Sequence, residues 1–92
     1  MPIQANQVVI GCFYTAVNNQ LRKITGITVD KKNRACVRYL SKSINIEGRE
    51  FDFGHNKTNP PLMKTFLQDC NSKLSTTEVS DLRTKNIILS GE

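Results

Sequence analysis

Apolar and polar residues alternate along the first half of the chain with the period of two that β-strands show. β-branched and aromatic residues fill these runs, and Asn, Asp and Lys separate them. The pattern predicts strands over 8–17, 21–29 and 35–41. Strands that follow one another through short turns form an antiparallel meander, so a meander is expected here.

The second predicted strand contains an irregularity. The alternation of apolar residues shifts by one position between Ile24 and Ile27, and Gly26 lies at this shift. A β-bulge there would return Ile24, Ile27 and Val29 to one face of the sheet. The third strand alternates cleanly, and we expect Ala35, Val37 and Tyr39 to face a covering helix.

That helix is predicted in the second half, where apolar residues recur at helical spacing from Pro61 to Leu74. Asn59 ahead of two prolines resembles a helix start. Ser75 and Glu78 have capping-box spacing and predict a second, short helix. Further short strands are predicted around Phe51 and Phe53 and over Asn86 to Ser90. The fold class is α+β: an antiparallel sheet of four or five strands against one amphipathic helix near 61–74, in a single binding domain over 1–92.

Charge is distributed unevenly along the chain. Residues 1–49 hold eight cations and two acids, a net of +6, and residues 50–92 hold five cations and six acids, a net of −1, which together give the overall +5. The N-terminal half therefore suits a polyanion or an acidic protein surface.

Most of these cations fall on the predicted hairpin of strands two and three. If the apolar side of that hairpin faces the helix, its cations lie in a row on the other side. The candidate partner- or RNA-binding residues are Lys23, Lys31, Lys32, Arg34, Arg38 and Lys42. Such a row would hold several phosphates in a salt-dependent manner. The alternative is a solvated sheet face whose lysines prevent edge-to-edge aggregation.

The N-terminus lacks the charged and apolar regions of a secretory signal, and no apolar run has the length of a membrane helix. The expected location is a cytoplasm. Cys12, Cys36 and Cys70 are widely spaced, and in a reducing compartment we expect free thiols.

Catalytic and metal chemistry find little support. Three cysteines and His55 could be combined into a zinc site, but their wide spacing does not fit structural zinc. A nucleophilic pair of Cys70 and His55 would need an orienting partner, and Cys70 lies on the apolar side of the predicted helix. We therefore expect no catalytic residues, no metal and no cofactor.

Three segments, "GCFYTAVNNQLRKITGITVD", "ACVRYLSK" and "FGHNKTNPPLMKTFLQDC", resemble small accessory proteins of bacteriophages. The family that they resemble is the phage anti-CRISPR proteins of the type I-F group. The resemblance implies a stoichiometric inhibitor in the cytoplasm of the bacterial host. Such a protein binds the crRNA-guided surveillance complex, a ribonucleoprotein of Cas proteins and guide RNA, and stops target-DNA recognition or nuclease recruitment. Several members of this class are acidic DNA mimics, whereas this chain is basic.

Three functions remain open. The first is a non-catalytic inhibitor that docks its basic face on a CRISPR–Cas ribonucleoprotein complex. The second is a nucleic-acid-binding regulatory module built as a partly open β-barrel. The third is an enzyme with a site around His55.

Overall fold

A four-stranded antiparallel sheet forms the centre of the structure, a computed structural model that describes residues 3–52, 60–89 and 91. Its strands are β1 (Phe13–Ala16), β2 (Gln20–Val29), β3 (Ala35–Ser43) and β4 (Cys70–Lys73), in the spatial order β3-β2-β1-β4. The helices are α1 (Met63–Asp69) and α2 (Thr76–Thr84), and short 3₁₀ turns occupy Ala5–Gln7 and Val17–Asn19. This confirms the predicted α+β class and the N-terminal meander.

The predicted bulge is present in β2. Ile24 lies opposite Tyr39, whereas Gly26 lies opposite Arg38, so Thr25 is the extra residue. Beyond the bulge Ile27 pairs with Val37 and Val29 with Ala35. Since directly paired residues project from the same face, the bulge keeps the three aliphatic residues of β2 on one side, as predicted.

One face of the sheet packs against α1. Phe66 of α1 is fully buried, and its ring lies 5.9 Å from Tyr14 and 5.5 Å from Tyr39. Ile24 and Val37 are buried in the same cluster. Burial of a side chain such as Phe66 contributes about 1.5–3 kcal/mol, so this cluster is a main source of stability. Ala35 was also expected under the helix, but it is exposed.

The opposite face of the sheet is also covered, which the sequence pattern did not predict. Phe13 and Leu21 project from this face and form a second core with Leu74 and Ile88. Val79 and Leu82 of α2 pack on its rim. The C-terminal segment, residues 74–89, therefore covers the sheet face that the sequence pattern assigned to solvent.

The predicted helix over 61–74 is only half helical. It ends at Asp69, and Cys70–Lys73 continues as β4, which pairs with β1. The free edge of β1 supplies backbone partners for this segment, and such tertiary pairing overrides local propensity. The chain crosses the sheet edge at β4, so Leu74 packs on the side opposite Phe66.

Two predicted strands are absent from the described residues. Near Phe51, a single bridge joins Asp52 to Ser41, and Phe53 and the proposed cap Asn59 lie outside the described residues. Residues 86–89 are not a strand, because Asn86 has a left-handed φ of 61° and turns the chain back on α2. The amides of Ile87 and Ile88 then both donate to the Leu82 carbonyl.

The second helix begins as predicted. The Ser75 hydroxyl accepts a hydrogen bond from the Glu78 amide, and the Glu78 carboxylate accepts one from the Ser75 amide. This reciprocal capping satisfies two amides at the start of α2. It also fixes the direction in which the chain leaves β4 toward the second core.

Candidate interaction surface

The far end of the β2–β3 hairpin extends beyond its neighbours in the sheet. Pairing of β1 with β2 ends at Phe13 and Lys23. Beyond it, the Gly11 amide donates to the Ile24 carbonyl and the Ile24 amide donates to the Cys12 carbonyl. Within the described part of the chain, the rest of β2 pairs with β3 alone, up to Val29 and Ala35. The hairpin tip, residues 27–38, therefore extends past β1 in the sheet.

Asp30 braces the turn at this tip. One carboxylate oxygen accepts hydrogen bonds from the amides of Lys32 (2.9 Å) and Arg34 (2.8 Å). The other accepts from Arg34 Nε at 2.8 Å. Asn33 completes the turn with a left-handed φ of 63°, a conformation that Asn tolerates. The hydrogen bond from the Arg34 amide is the main reason that the pKa of Asp30 lies below its ordinary value.

Three of the six predicted contact residues lie together on this braced turn. Lys31, Lys32 and Arg34 are all exposed, and Arg34 is paired with Asp30. Arg38 is half-buried and lies within β3, four residues after Arg34. The tip therefore presents a cluster of positive charge whose one acidic side chain is already engaged by the turn itself.

The other two predicted residues do not belong to this cluster. Lys23 is half-buried, and its ammonium lies 5.6 Å from the ring centre of Phe13. Lys42 is only 6% exposed. The prediction that Lys42 faces solvent in a continuous row is wrong, because the second core and the chain around it cover that end of the sheet.

Lys42 instead holds two segments of the fold together. Its ammonium donates hydrogen bonds to the backbone carbonyls of Arg49 and Ile87 and lies 5.7 Å from the ring centre of Phe51. A buried ammonium is tolerated only when its donors find acceptors, and these carbonyls supply them. Lys42 is thus a structural residue that ties the C-terminal segment to the sheet.

Arg22, another cation of the hairpin, is also buried, although its Nη1 finds no hydrogen-bond partner among the described residues. Its guanidinium lies 4.4 Å from the ring centre of Tyr39 and 5.6 Å from that of Phe66. Nε donates to the Gln20 side chain at 3.0 Å, and Nη2 lies 4.0 Å from an Asp69 carboxylate oxygen. Arg22 therefore joins the core cluster around Phe66 to the end of α1, and it adds no exposed charge.

A cleft of about 550 Å³ opens between the hairpin tip and the segment before α1. Residues 60–62 form its second wall, held to β3 by a hydrogen bond from the Val37 amide to the Pro61 carbonyl (2.9 Å). Its lining is mostly cationic and apolar, with Lys31, Arg34, Arg38, Val29, Pro60 and Leu62, and it also includes Thr28, Cys36 and Asp30, whose carboxylate already pairs with Arg34. A cleft with these walls suits an anionic group attached to an apolar body.

An apolar strip lies on the hairpin next to this cleft. Ile27 is 43% exposed and Val29 is 62% exposed. They share a face with the exposed Ala35, and Val29 also lines the cleft. The sequence pattern placed these aliphatic residues on the core face correctly, but it did not reveal that the core ends before it reaches them.

The three cysteines are free thiols, as expected. Cys36 and Cys70 are buried free thiols, and Cys12 is half-buried. Burial raises the pKa of Cys70 to about 11, against the smaller opposing effect of Arg22, so the nucleophilic thiolate is scarce at neutral pH. His55, the remaining residue of the zinc and catalytic hypotheses, lies outside the described residues. In ranges 3–52 and 60–89, no three potential metal-ligating side chains come together.

Comparison with protein families, curated proteins and solved structures finds no match to this chain. No helix among the described residues has the length and apolar character needed to cross a membrane.

Proposed function

We propose that this protein is a non-catalytic binding protein that docks its β2–β3 hairpin tip on a negatively charged surface. The exposed cluster of Lys31, Lys32 and Arg34 on a braced, projecting turn supports this proposal. A turn fixed before binding loses little conformational entropy when it docks. Cations at such a position also speed association with an anionic partner.

The target that we propose is the type I-F CRISPR surveillance complex, which the protein inhibits by blocking target-DNA recognition. The resemblance to phage anti-CRISPR proteins supplies this target. The charge of the hairpin tip is compatible with it, since a ribonucleoprotein presents guide RNA and acidic protein surfaces. Inhibition is steric and stoichiometric.

A charge-reversal experiment tests the proposal. Lys31→Glu with Lys32→Glu changes the tip by four charge units while leaving the Asp30 brace in place. We expect this double variant to lose capture by the purified complex and to stop inhibiting target-DNA binding. The wild-type protein should inhibit at a ratio close to one per complex.

Lys64→Glu with Lys85→Glu is the matched control, because both lysines are exposed and neither belongs to the hairpin. Lys85 pairs with Asp81 at 3.1 Å on the surface of α2, a kind of ion pair that contributes little to stability. Equal loss of capture in both double variants would indicate a non-specific charge effect and would contradict the proposal. No inhibition by the wild-type protein would contradict the target.

The alternative of a nucleic-acid-binding module makes a different prediction. That alternative expects a partly open β-barrel, and the described sheet has the order β3-β2-β1-β4 with β3 and β4 at opposite edges. If the protein bound naked RNA or duplex DNA tightly, with a steep salt dependence and without Cas proteins, that alternative would be favoured.

A further inference from the structure

We infer that the hairpin tip contacts a protein surface of the target, with an acidic rim around an aliphatic centre, and not its RNA. The inference rests on the proposed function and names the component of the complex that is bound. Three observations carry it: the exposed aliphatic strip, the burial of the aromatic side chains, and the mixed lining of the cleft.

The exposed strip follows from the dimensions of the fold. The seven residues of α1 span about 10 Å, whereas the ten residues of β2 span about 33 Å. The helix therefore covers Ile24 and Val37 but leaves Ile27 and Val29 in solvent. Sheet faces that meet water ordinarily carry polar residues, so two β-branched aliphatic residues there suit a partner that excludes water.

RNA is a poor partner for this surface. Single-stranded nucleic acid is held by exposed aromatic side chains on which bases stack, together with cations. Among residues 3–52 and 60–89, every aromatic side chain is buried or half-buried. Tyr14 and Tyr39, the aromatic residues of the basic hairpin region, both pack against Phe66. The tip thus has charge for phosphates but lacks a surface for bases.

A protein surface uses both properties of the tip. Protein interfaces have an apolar centre and a polar rim, and Arg is enriched in them. Val29 belongs to the aliphatic strip and also lines the cleft, so the two features meet at Val29, whereas Arg38, opposite Gly26, projects from the other face of the sheet. Lys31 and Arg34 of the turn would then meet acidic side chains beside an aliphatic patch that covers Ile27 and Val29.

The test replaces the aliphatic strip without changing charge. Ile27→Thr with Val29→Thr keeps β-branched residues that favour strands and removes most of the apolar surface. The matched control is Val17→Thr with Ile46→Thr, since these residues are 40% and 41% exposed at the opposite end of the hairpin. Circular dichroism and the melting temperature establish that each variant is folded.

Binding is measured by surface plasmon resonance against the purified type I-F surveillance complex and against its crRNA alone. We expect the strip variant to bind the complex about tenfold more weakly or worse, as for loss of a buried apolar anchor. The control variant should bind like the wild type, and binding to crRNA alone should be negligible at physiological salt.

Three results would overturn the inference while leaving the proposed function intact. One is capture of the complex that is unaffected by the strip variant. Another is binding to crRNA alone as tight as binding to the complex. The third is self-association, measured by sedimentation, that the strip variant abolishes, which would assign the strip to a second copy of this chain. A wild-type protein that binds neither the complex nor crRNA would overturn both proposals.

Discussion

Substitution of Lys42 by methionine separates a structural role from a binding role. Methionine has a similar length but cannot donate the hydrogen bonds to the carbonyls of Arg49 and Ile87. The substitution removes one positive charge from a buried position and none from the exposed tip. If Lys42 holds the C-terminal segment, Lys42→Met destabilises the fold and leaves the hairpin tip intact.

The size of the effect follows from these two hydrogen bonds. Each hydrogen bond from a charged donor contributes about 1.5–3 kcal/mol, so the loss of two amounts to roughly 3–6 kcal/mol. Removal of a buried ammonium relieves a desolvation penalty, which offsets on the order of 1–2 kcal/mol of that loss. The expected net destabilisation is about 1–5 kcal/mol, a substantial fraction of the stability of a small domain.

Urea unfolding followed by far-ultraviolet circular dichroism measures this change. Amide hydrogen exchange at Ile88 reports whether the C-terminal segment opens first. Lys31→Met is the control, since an exposed lysine should change stability by less than about 0.5 kcal/mol. A structural role for Lys42 is excluded if Lys42→Met alters stability no more than Lys31→Met does, or if it abolishes target binding at full stability.

Three further predictions concern titration and packing. Because the pKa of Asp30 is lowered in the folded protein, its carboxylate stabilises the hairpin tip at pH values above its ordinary pKa of 3.8, and this stabilisation is lost as pH falls through the lower folded pKa. The NMR chemical shift of the Arg34 amide should report this titration, and Asp30→Asn should abolish it. Burial raises the pKa of Cys70 from 9.0 to about 11, so the thiol ionises more readily in the unfolded chain. Between pH 9 and 11 the free energy of unfolding should therefore fall by on the order of 2–3 kcal/mol more in the wild type than in Cys70→Ala. Denaturant titrations at each pH that give both proteins the same pH dependence of this free energy would contradict the prediction. Ile88→Ala should lower stability by about 2–5 kcal/mol and Ile46→Ala by far less, because Ile88 is 1% exposed and Ile46 is 41% exposed. Similar losses for the two variants in thermal unfolding would mean that the C-terminal segment does not pack on the sheet.

The local features of the fold were accessible from the sequence. Alternation of apolar residues predicted the three strands of the meander, and the parity change at Gly26 predicted the bulge. Ser75 and Glu78 predicted the start of α2 because a capping box involves only neighbouring residues. Asp30 two residues before Lys32 also had the spacing of a side chain that caps a turn, a signal that could have identified the brace.

The extent of α1 and the environment of Lys42 depended on partners distant in sequence. Cys70 lies four residues after Phe66, at helical spacing, yet residues 70–73 form a strand because the edge of β1 offers them backbone hydrogen bonds. Lys42 occupies an outward position on β3 and is nevertheless buried by Ile87, which lies 45 residues further along the chain. Periodicity indicates the face from which a side chain projects, and it contains no information about what covers that face.

The candidate surface shows the same division. The charge of the hairpin and the side on which Ile27 and Val29 project follow from the order of the residues alone. The exposure of the cations at the tip, the burial of Arg22 and Lys42, and the contact of the aliphatic strip with water depend on the packing of the whole fold. The reason is that side-chain direction is fixed locally by the alternation of the strand, whereas exposure is fixed by the length of α1 and by the path of the C-terminal segment over the opposite face.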